Sequence, residues 1–318
     1  MVIFAEACGK EREMSKYHKM GYFLVVMGGL FWALSGVCGQ FLFTNKGWEA
    51  TWLVPMRLLC AGTILTAISC AAQKRDALRI FKKKRDVGAL LIFGLLGIGV
   101  CQLTYFTTIQ HSNAATATVL CYAGPVIVIV FVALRNRRLP SAAEGASVAL
   151  VIFGTFLLAT HGDPTTLVIS RVALVSGLMS SAAAALYSIQ PRRIIAEFGT
   201  VPVIGWGMLI AGVCMAALLR PWHTVGTYDL QAFAAFAVIV IFGTVVSFSC
   251  FLEGVRRIGP VRGSILGASE PLGSTIMAIT LLGVRFAPID FAGFACILST
   301  VFVLAWNDKI MACREENK

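Results

Sequence analysis

Glu270 is the residue best placed to do chemistry, because its carboxyl group lies inside an apolar run that covers residues 263–283. An ionisable side chain in hydrocarbon costs a few kcal/mol by insertion scales, so it is expected to face the interior of a helix bundle, where it can bind a cation or carry a proton. Pro271 follows directly and lacks a backbone donor, which can kink a helix and free a carbonyl group. The structural alternative is a protonated Glu270 that holds this kink by a hydrogen bond to a neighbouring helix.

Two further charged residues lie in apolar runs. Arg57 can attract an anionic substrate, but a long side chain can also reach the interface and pair with a carboxylate or a helix C-terminus, and this structural role is favoured. Glu253 precedes Arg256 and Arg257 by three and four residues, which is the spacing of an ordinary ion pair on a helix surface. Glu253 is therefore a weaker candidate for chemistry than Glu270.

The composition predicts a membrane environment around these residues. Of 318 residues, 58% are hydrophobic and 14% are charged, and the mean hydropathy is +0.80, whereas a soluble domain carries about 25% charged residues. The net charge of +11 does not indicate nucleic-acid binding, because no polar face between the apolar runs could hold a phosphate-binding patch. The ten cysteines have no CxxC or other metal-ligand spacing, so no metal, cofactor or structural disulfide is expected.

Apolar runs between clusters of charge predict an all-α membrane protein with ten transmembrane helices, because a spanning segment must satisfy its backbone hydrogen bonds without water. The predicted spans are residues 21–43, 50–72, 87–109, 114–134, 144–160, 172–189, 202–219, 231–254, 263–283 and 289–306. With both termini in the cytoplasm, 22 of the 27 Lys and Arg residues fall on the inner side and four on the outer side. The positive-inside rule therefore favours this topology.

The chain also contains an internal repeat. Pro125 and Pro271 match at a separation of 146 residues, and Gly29 and Gly177 match at a separation of 148. Because five spans precede the second copy, that copy must enter the membrane upside down, an arrangement found in alternating-access transporters. The predicted segments are a cytoplasmic N-terminal segment at 1–20, a first five-helix repeat at 21–160, an external linker at 161–171, a second, inverted repeat at 172–306 and a cytoplasmic tail at 307–318.

The motifs that carry this pattern resemble the EamA family of the drug/metabolite transporter superfamily. They are GGLFWALSG in the first span, PMRLLCAG in the second, the small-residue segment that precedes Pro125, and the matching segment of the second repeat, which ends at Glu270 and Pro271. The resemblance covers about residues 20–306 and implies a central cavity formed mainly by spans one, three, four, six, eight and nine. The substrate-binding candidates that it implies are Trp32, Ser35, Gln102, Tyr105, Thr118, Tyr122, Tyr187, Ser247 and Glu270.

The expected function is transport of a small metabolite, such as an amino acid, an amine or a related compound, with export as the favoured direction. The sequence has no GxxxxGK[ST] loop, so transport is expected to be facilitative or driven by a gradient, with a proton as the candidate coupling ion. The expected location is the bacterial cytoplasmic membrane. There the chain is expected to contact its substrate and lipid, to bind no nucleic acid, and to work as a monomer or a weak dimer.

The alternative function is that of an intramembrane lipid-modifying enzyme. Such an enzyme needs paired carboxylates, or a histidine with an acid or a serine, at membrane depth. All four histidines lie outside the interiors of the predicted spans. The sequence therefore predicts neither a catalytic residue nor an enzyme.

Overall fold

A computed structural model of the chain describes residues 2–135, 137, 139, 141–163, 167–222, 226–258 and 260–316. These residues form helices joined by short turns, and no strand occurs among them. The predicted all-α class is confirmed. Helices suit this apolar chain because each one satisfies its backbone hydrogen bonds internally.

The helices divide between the two halves of the chain. The first half contains α1 (Val2–Lys46), α2 (Ala50–Gln73), α3 (Lys84–Leu91), α4 (Val100–His111), α5 (Ala114–Cys121), α6 (Gly124–Arg135) and α7 (Ala142–Thr160). The second half contains α8 (Arg171–Ile189), α9 (Arg192–Phe198), α10 (Thr200–Leu219), α11 (Leu230–Val240), α12 (Ser247–Ile258), α13 (Pro260–Gly267), α14 (Ser269–Leu282) and α15 (Pro288–Glu316). A 3₁₀ segment, Lys74–Lys82, follows α2.

Eight helical segments of the described chain are long and apolar enough to cross a membrane. They correspond to eight of the ten predicted spans, with bounds that agree to within a few residues. The tenth predicted span lies in α15, whose apolar part, Pro288–Leu304, is shorter than the other eight. The fourth predicted span, 114–134, is not one continuous helix, because the chain turns at Tyr122 and Ala123 between α5 and α6.

The ninth predicted span is broken in the same way, at Ala268 between α13 and α14. Both breaks precede a proline, Pro125 in the first half and Pro271 in the second. A proline has no N–H to donate to the carbonyl four residues earlier, so it is tolerated in the first turn of a helix and disfavoured in a helix interior. The hydropathy of these runs predicted continuous helices, whereas the prolines begin new ones.

Two π-helical segments also occupy matching places in the two halves. Ile92–Gly99 joins α3 to α4, and Ile241–Val246 joins α11 to α12. Both segments begin with the sequence Ile-Phe-Gly, which places Gly94 and Gly243 at equivalent positions. The duplication read from the sequence therefore extends to the irregular parts of the helices.

The core is built largely from contacts between the two halves. Helix α1 packs on α12 and α14, α2 on α10, α4 on α8, and α7 on α15. Glycines allow the closest of these approaches. A Cβ added to Gly154 in α7 would lie 2.8 Å from the carbonyl oxygen of Gly293 in α15, and one added to Gly62 in α2 would lie 2.5 Å from the backbone nitrogen of Leu209 in α10. Small residues at such crossings allow apolar helices to pack closely.

Candidate functional site

The two helix breaks meet in the interior of the bundle. The Tyr122 hydroxyl, at the break of the first half, donates a hydrogen bond of 2.5 Å to the carbonyl oxygen of Gly267, the last residue of α13. That carbonyl is the one that Pro271 cannot supply with an N–H. Tyr122 thus completes the hydrogen bonding of the other half's broken helix.

Glu270 lies beside this junction, as the second residue of α14. Its Oε2 atom is 3.4 Å from the Tyr122 hydroxyl oxygen. Tyr122 has one hydroxyl proton, and the shorter bond to Gly267 takes it. A proton on Glu270 would therefore make a second bond with Tyr122, whereas an ionised Glu270 would have no such donor there. Glu270 as a whole residue is half-buried.

Helix α1 forms one wall of the junction. Gly29 packs against the first turn of α14, where an added Cβ would lie 3.2 Å from the Glu270 backbone nitrogen. One turn further along α1, the Trp32 ring lies 5.1 Å from the ring of Phe248 and 4.8 Å from that of Phe251, both in α12. The indole is partly accessible. The packing of α1 on the second half therefore determines the positions of both Trp32 and Glu270.

Arg57 is a buried cation that joins three elements. Its Nε donates to the Thr244 hydroxyl oxygen at 2.9 Å, its Nη1 to Gln102 Oε1 at 3.1 Å, and its Nη2 to the Gly243 carbonyl oxygen at 3.1 Å. The guanidinium also lies over the ring of Phe106, 5.0 Å from its centre. Thr244 and Gly243 belong to the second π segment, so the irregular helix provides the acceptors.

The structural role favoured for Arg57 from the sequence agrees with this geometry, but its partners differ from the expected ones. The side chain is only 3% exposed, so it does not reach the interface. Among the described residues, no carboxylate forms an ion pair with it. Arg57 and Glu270 are electrostatic neighbours without a direct hydrogen bond. The site therefore contains one cation and one carboxyl group that are not bound to each other.

Gln102 is oriented by Arg57. Because its Oε1 accepts from the guanidinium, its NH₂ group is fixed as the end that can donate to another molecule. The side chain is partly accessible. Gln102 thus offers hydrogen-bond donors, whereas Glu270 offers acceptors when it is ionised.

Three of the candidates with hydroxyl groups are buried. Thr118 donates to the Ala114 carbonyl oxygen at 2.8 Å and lies 2.8 Å from the Tyr105 hydroxyl oxygen, which leaves Tyr105 as the donor to Thr118. The Ser247 hydroxyl donates to the Thr244 carbonyl oxygen at 3.2 Å. Ser35 is buried against Gly243, and its hydroxyl has no hydrogen-bond partner among the residues that the structure describes. In this conformation these hydroxyls lie behind the accessible surface, and their role in binding stays a prediction.

Tyr187, on α8, packs against Gly97 of the first π segment. Next to it is a cluster that the sequence did not predict. The Ser180 hydroxyl oxygen lies 3.6 Å from the Cys101 sulfur and 3.7 Å from the Cys121 sulfur. The three residues come from α4, α5 and α8, and their sequence spacing gives no motif that could have identified the cluster.

Other titratable groups lie at the ends of the helices. His161, at the end of α7, has its Nε2 2.8 Å from Asp290 Oδ1 at the start of α15. Within the described ranges, no three His, Cys, Asp or Glu residues are grouped in a way that could hold a metal ion. Among the same residues, no hydrogen bond joins Glu270 to a histidine or to a second carboxylate. Among these described residues, the paired groups of hydrolytic chemistry are therefore not assembled at the junction.

Comparison with known proteins identifies relatives. Residues 19–160 and 171–306 each match the EamA-like transporter family. The chain is 37% identical over 291 residues to the "Uncharacterized inner membrane transporter YicL" of Salmonella typhimurium, a match that covers 92% of this chain and 97% of that protein. It is 27% identical over 218 residues to the "Uncharacterized transporter YcbK" of Bacillus subtilis, which covers 67% of this chain and 70% of that protein.

A solved crystal structure of another protein has the same arrangement of helices. The two structures superpose with a TM-score of 0.61, covering 93% of this chain and 99% of that chain, at 16% sequence identity. At this identity the likeness shows the fold alone.

Proposed function

This chain belongs to the EamA-like transporter family, and from that premise we propose that it carries a small polar metabolite through the junction of its two broken helices by alternating access. The chain is a multi-pass protein of the bacterial cytoplasmic membrane. Its family belongs to the drug/metabolite transporter superfamily. The substrate, the direction of transport and the mechanism are the parts that this proposal adds.

The observation that carries the proposal is the hydrogen bond between Tyr122 and Gly267, which joins the two helix breaks. Substrate and ion sites of transporters commonly form at discontinuous helices near the interface of two repeats, because backbone groups are free there. Glu270 lies at this interface and is partly accessible. Rocking of one repeat against the other would change what surrounds it.

We place the chain in the membrane as ten spans in two inverted five-helix repeats, with both termini in the cytoplasm. The distribution of Lys and Arg supports this orientation. The two matched regions support the repeats, since each contains one broken helix and one π segment. In this topology α5 and α6 together form the fourth span, and α15 forms the tenth. These are the two spans that are not among the eight long apolar helices.

The chemistry of the site favours a substrate with an amine, such as an amino acid or a related compound. Glu270 can attract an ammonium group when ionised, and Gln102 can donate to an acceptor on the same molecule. Glu270 can also take up a proton, which would couple transport to a proton gradient. Export is the proposed direction, and the functional unit is a monomer or a weak dimer. No observation favours the lipid-modifying enzyme, so we propose no enzyme activity.

The test begins with purified protein and a panel of metabolites, screened by thermal shift at two pH values. Compounds that stabilise the protein are then followed as radiolabelled solutes in proteoliposomes, with and without a pH gradient. We expect Glu270→Gln to lose the pH dependence of transport and most of the rate. The matched control is Glu253→Gln, whose carboxylate pairs with Arg256 and Arg257 on the surface of α12 and should transport normally. Full rate and full pH dependence in Glu270→Gln would rule out the proposed role.

A further inference from the structure

An ion pair joins the two repeats at the end of the bundle where α1 finishes. The Nζ atom of Lys46, the last residue of α1, lies 2.6 Å from Asp229 Oδ2 and 2.9 Å from Gln231 Oε1. Asp229 caps the start of α11 by accepting from the Ala232 backbone N–H at 2.9 Å. The Lys46 carbonyl oxygen also accepts from the Thr227 N–H at 2.8 Å. This end is thus held by charge and by main-chain hydrogen bonds.

A second ion pair joins the repeats at the opposite end. The Nη2 atom of Arg193 in α9 lies 2.6 Å from Asp86 Oδ1, in the first turn of α3. Asp86 is buried, whereas Arg193 is 42% exposed. A hydrogen bond from a side chain to the main chain accompanies this pair, because Gln190 Nε2 donates to the Ala89 carbonyl oxygen at 2.9 Å.

The two pairs join corresponding parts of the two repeats. In each pair the base follows the first span of one repeat, at the end of α1 for Lys46 and just after α8 for Arg193. The acid lies at the start of the third span of the other repeat, before α11 for Asp229 and within α3 for Asp86. A pair of this kind therefore lies at each end of the bundle, and at the second end Lys83 Nζ also lies 3.2 Å from Glu197 Oε1, between the same two repeats.

We propose that Lys46–Asp229 and Asp86–Arg193 are the outer and inner gates of the transport pathway, and that the structure, with both formed, is the occluded state. This inference rests on the proposed function. Rocking of two bundles about a central site separates them at one end and keeps them together at the other. Opening to the outside would therefore break the Lys46 pair and keep the Arg193 pair, and opening to the inside would do the reverse.

The test is hydrogen–deuterium exchange of the full-length protein in lipid nanodiscs, which needs no substrate. We expect Lys46→Gln to raise deuterium uptake near residues 46–48 and 227–231 by roughly twofold to fivefold, the population shift expected for loss of a partly exposed ion pair. Uptake near 83–90 and 190–197 should fall in the same variant, because the inward-open state becomes rarer. Asp86→Asn should give the opposite pattern.

A conservative change supplies the matched control. Lys46→Arg keeps a cation opposite Asp229 and leaves the Asp229 cap of α11 in place, so both ends should show the exchange of the parent protein. Glu253→Gln removes an ion pair within one helix and should change neither end. If Lys46→Gln fails to fold, Asp229→Asn removes the same pair from the other repeat.

A purely structural role would have a different signature. Increased uptake confined to the altered end, or no change at either end, would overturn the gate assignment. Either result would leave the transport proposal standing, because that proposal is tested by solute flux. Failure of the parent protein to transport any stabilising compound would instead contradict the proposed function, even if the two ends exchanged reciprocally.

Discussion

The hydroxyl of Tyr122 gives the carbonyl of Gly267 the hydrogen bond that Pro271 cannot give. The donor lies at the helix break of the first repeat and the acceptor at the helix break of the second, so a side chain of one break completes the hydrogen bonding of the other. Glu270 lies 3.4 Å from the same hydroxyl. A change in the protonation of this carboxyl therefore acts on the contact that joins the two repeats.

Tyr122→Phe should lower the free energy of unfolding by about 1–3 kcal/mol, because it leaves the Gly267 carbonyl with one partner fewer in a place that water reaches poorly. Thermal unfolding in detergent measures the change. Tyr22→Phe is the control, since the Tyr22 hydroxyl makes its 3.0 Å hydrogen bond with Arg262 at an exposed position. Equal losses in the two variants would contradict the structural importance of the junction.

Gly29→Ala should destabilise the protein by about 1–3 kcal/mol, as overpacking of a tight contact does. The new methyl group would meet the Ser269 hydroxyl and the Glu270 backbone nitrogen. In the control Gly88→Ala, no atom lies within 4 Å of the added carbon, and the helix should gain about 0.5–1 kcal/mol. Unfolding midpoints that move in the same direction would show that α1 does not pack as described.

Arg57→Lys should cost about 3 kcal/mol of stability although it keeps the charge. A lysine ammonium cannot reproduce the fork that reaches Thr244, Gln102 and Gly243 together, and a buried cation without these acceptors is poorly solvated. Arg171→Lys, at an exposed position at the start of α8, is the control and should change stability by less than about 0.5 kcal/mol. Chemical denaturation of both variants compares them directly.

Lys46→Gln should raise the pKa of Asp229 toward its ordinary value of 3.8. In the parent protein two hydrogen bonds hold the pKa of Asp229 below that value. The one from Lys46 has the larger effect, and the one from the Ala232 N–H the next largest. A depressed carboxyl pKa stabilises the folded state above the unfolded pKa, and this contribution is lost as the pH falls through the folded pKa. Carbon-13 NMR of labelled aspartate measures the titration. A midpoint that Lys46→Gln does not move would show that the pair is absent in solution.

The sequence was sufficient for the fold class and for the bounds of most helices, whereas it gave Glu270 and Tyr122 as separate candidates without predicting the contact between them. Hydropathy did not predict the break between α5 and α6, because apolar residues continue through it, although Pro125 marks the place. Ion pairs between the repeats were also missed, among them Lys46–Asp229 and Asp86–Arg193, whose members are 183 and 107 residues apart. Opposite charges at equivalent span ends of the two repeats were the signal that could have identified them.

The paired π segments carry information about descent. Such segments are rare, at well under 1% of residues in proteins, so two separate origins at the same place would require a rare event twice. Both begin with Ile-Phe-Gly, and one of them now holds the acceptors of Arg57. The simplest history is that the ancestor of the two repeats already contained this π-helical segment before its gene was doubled.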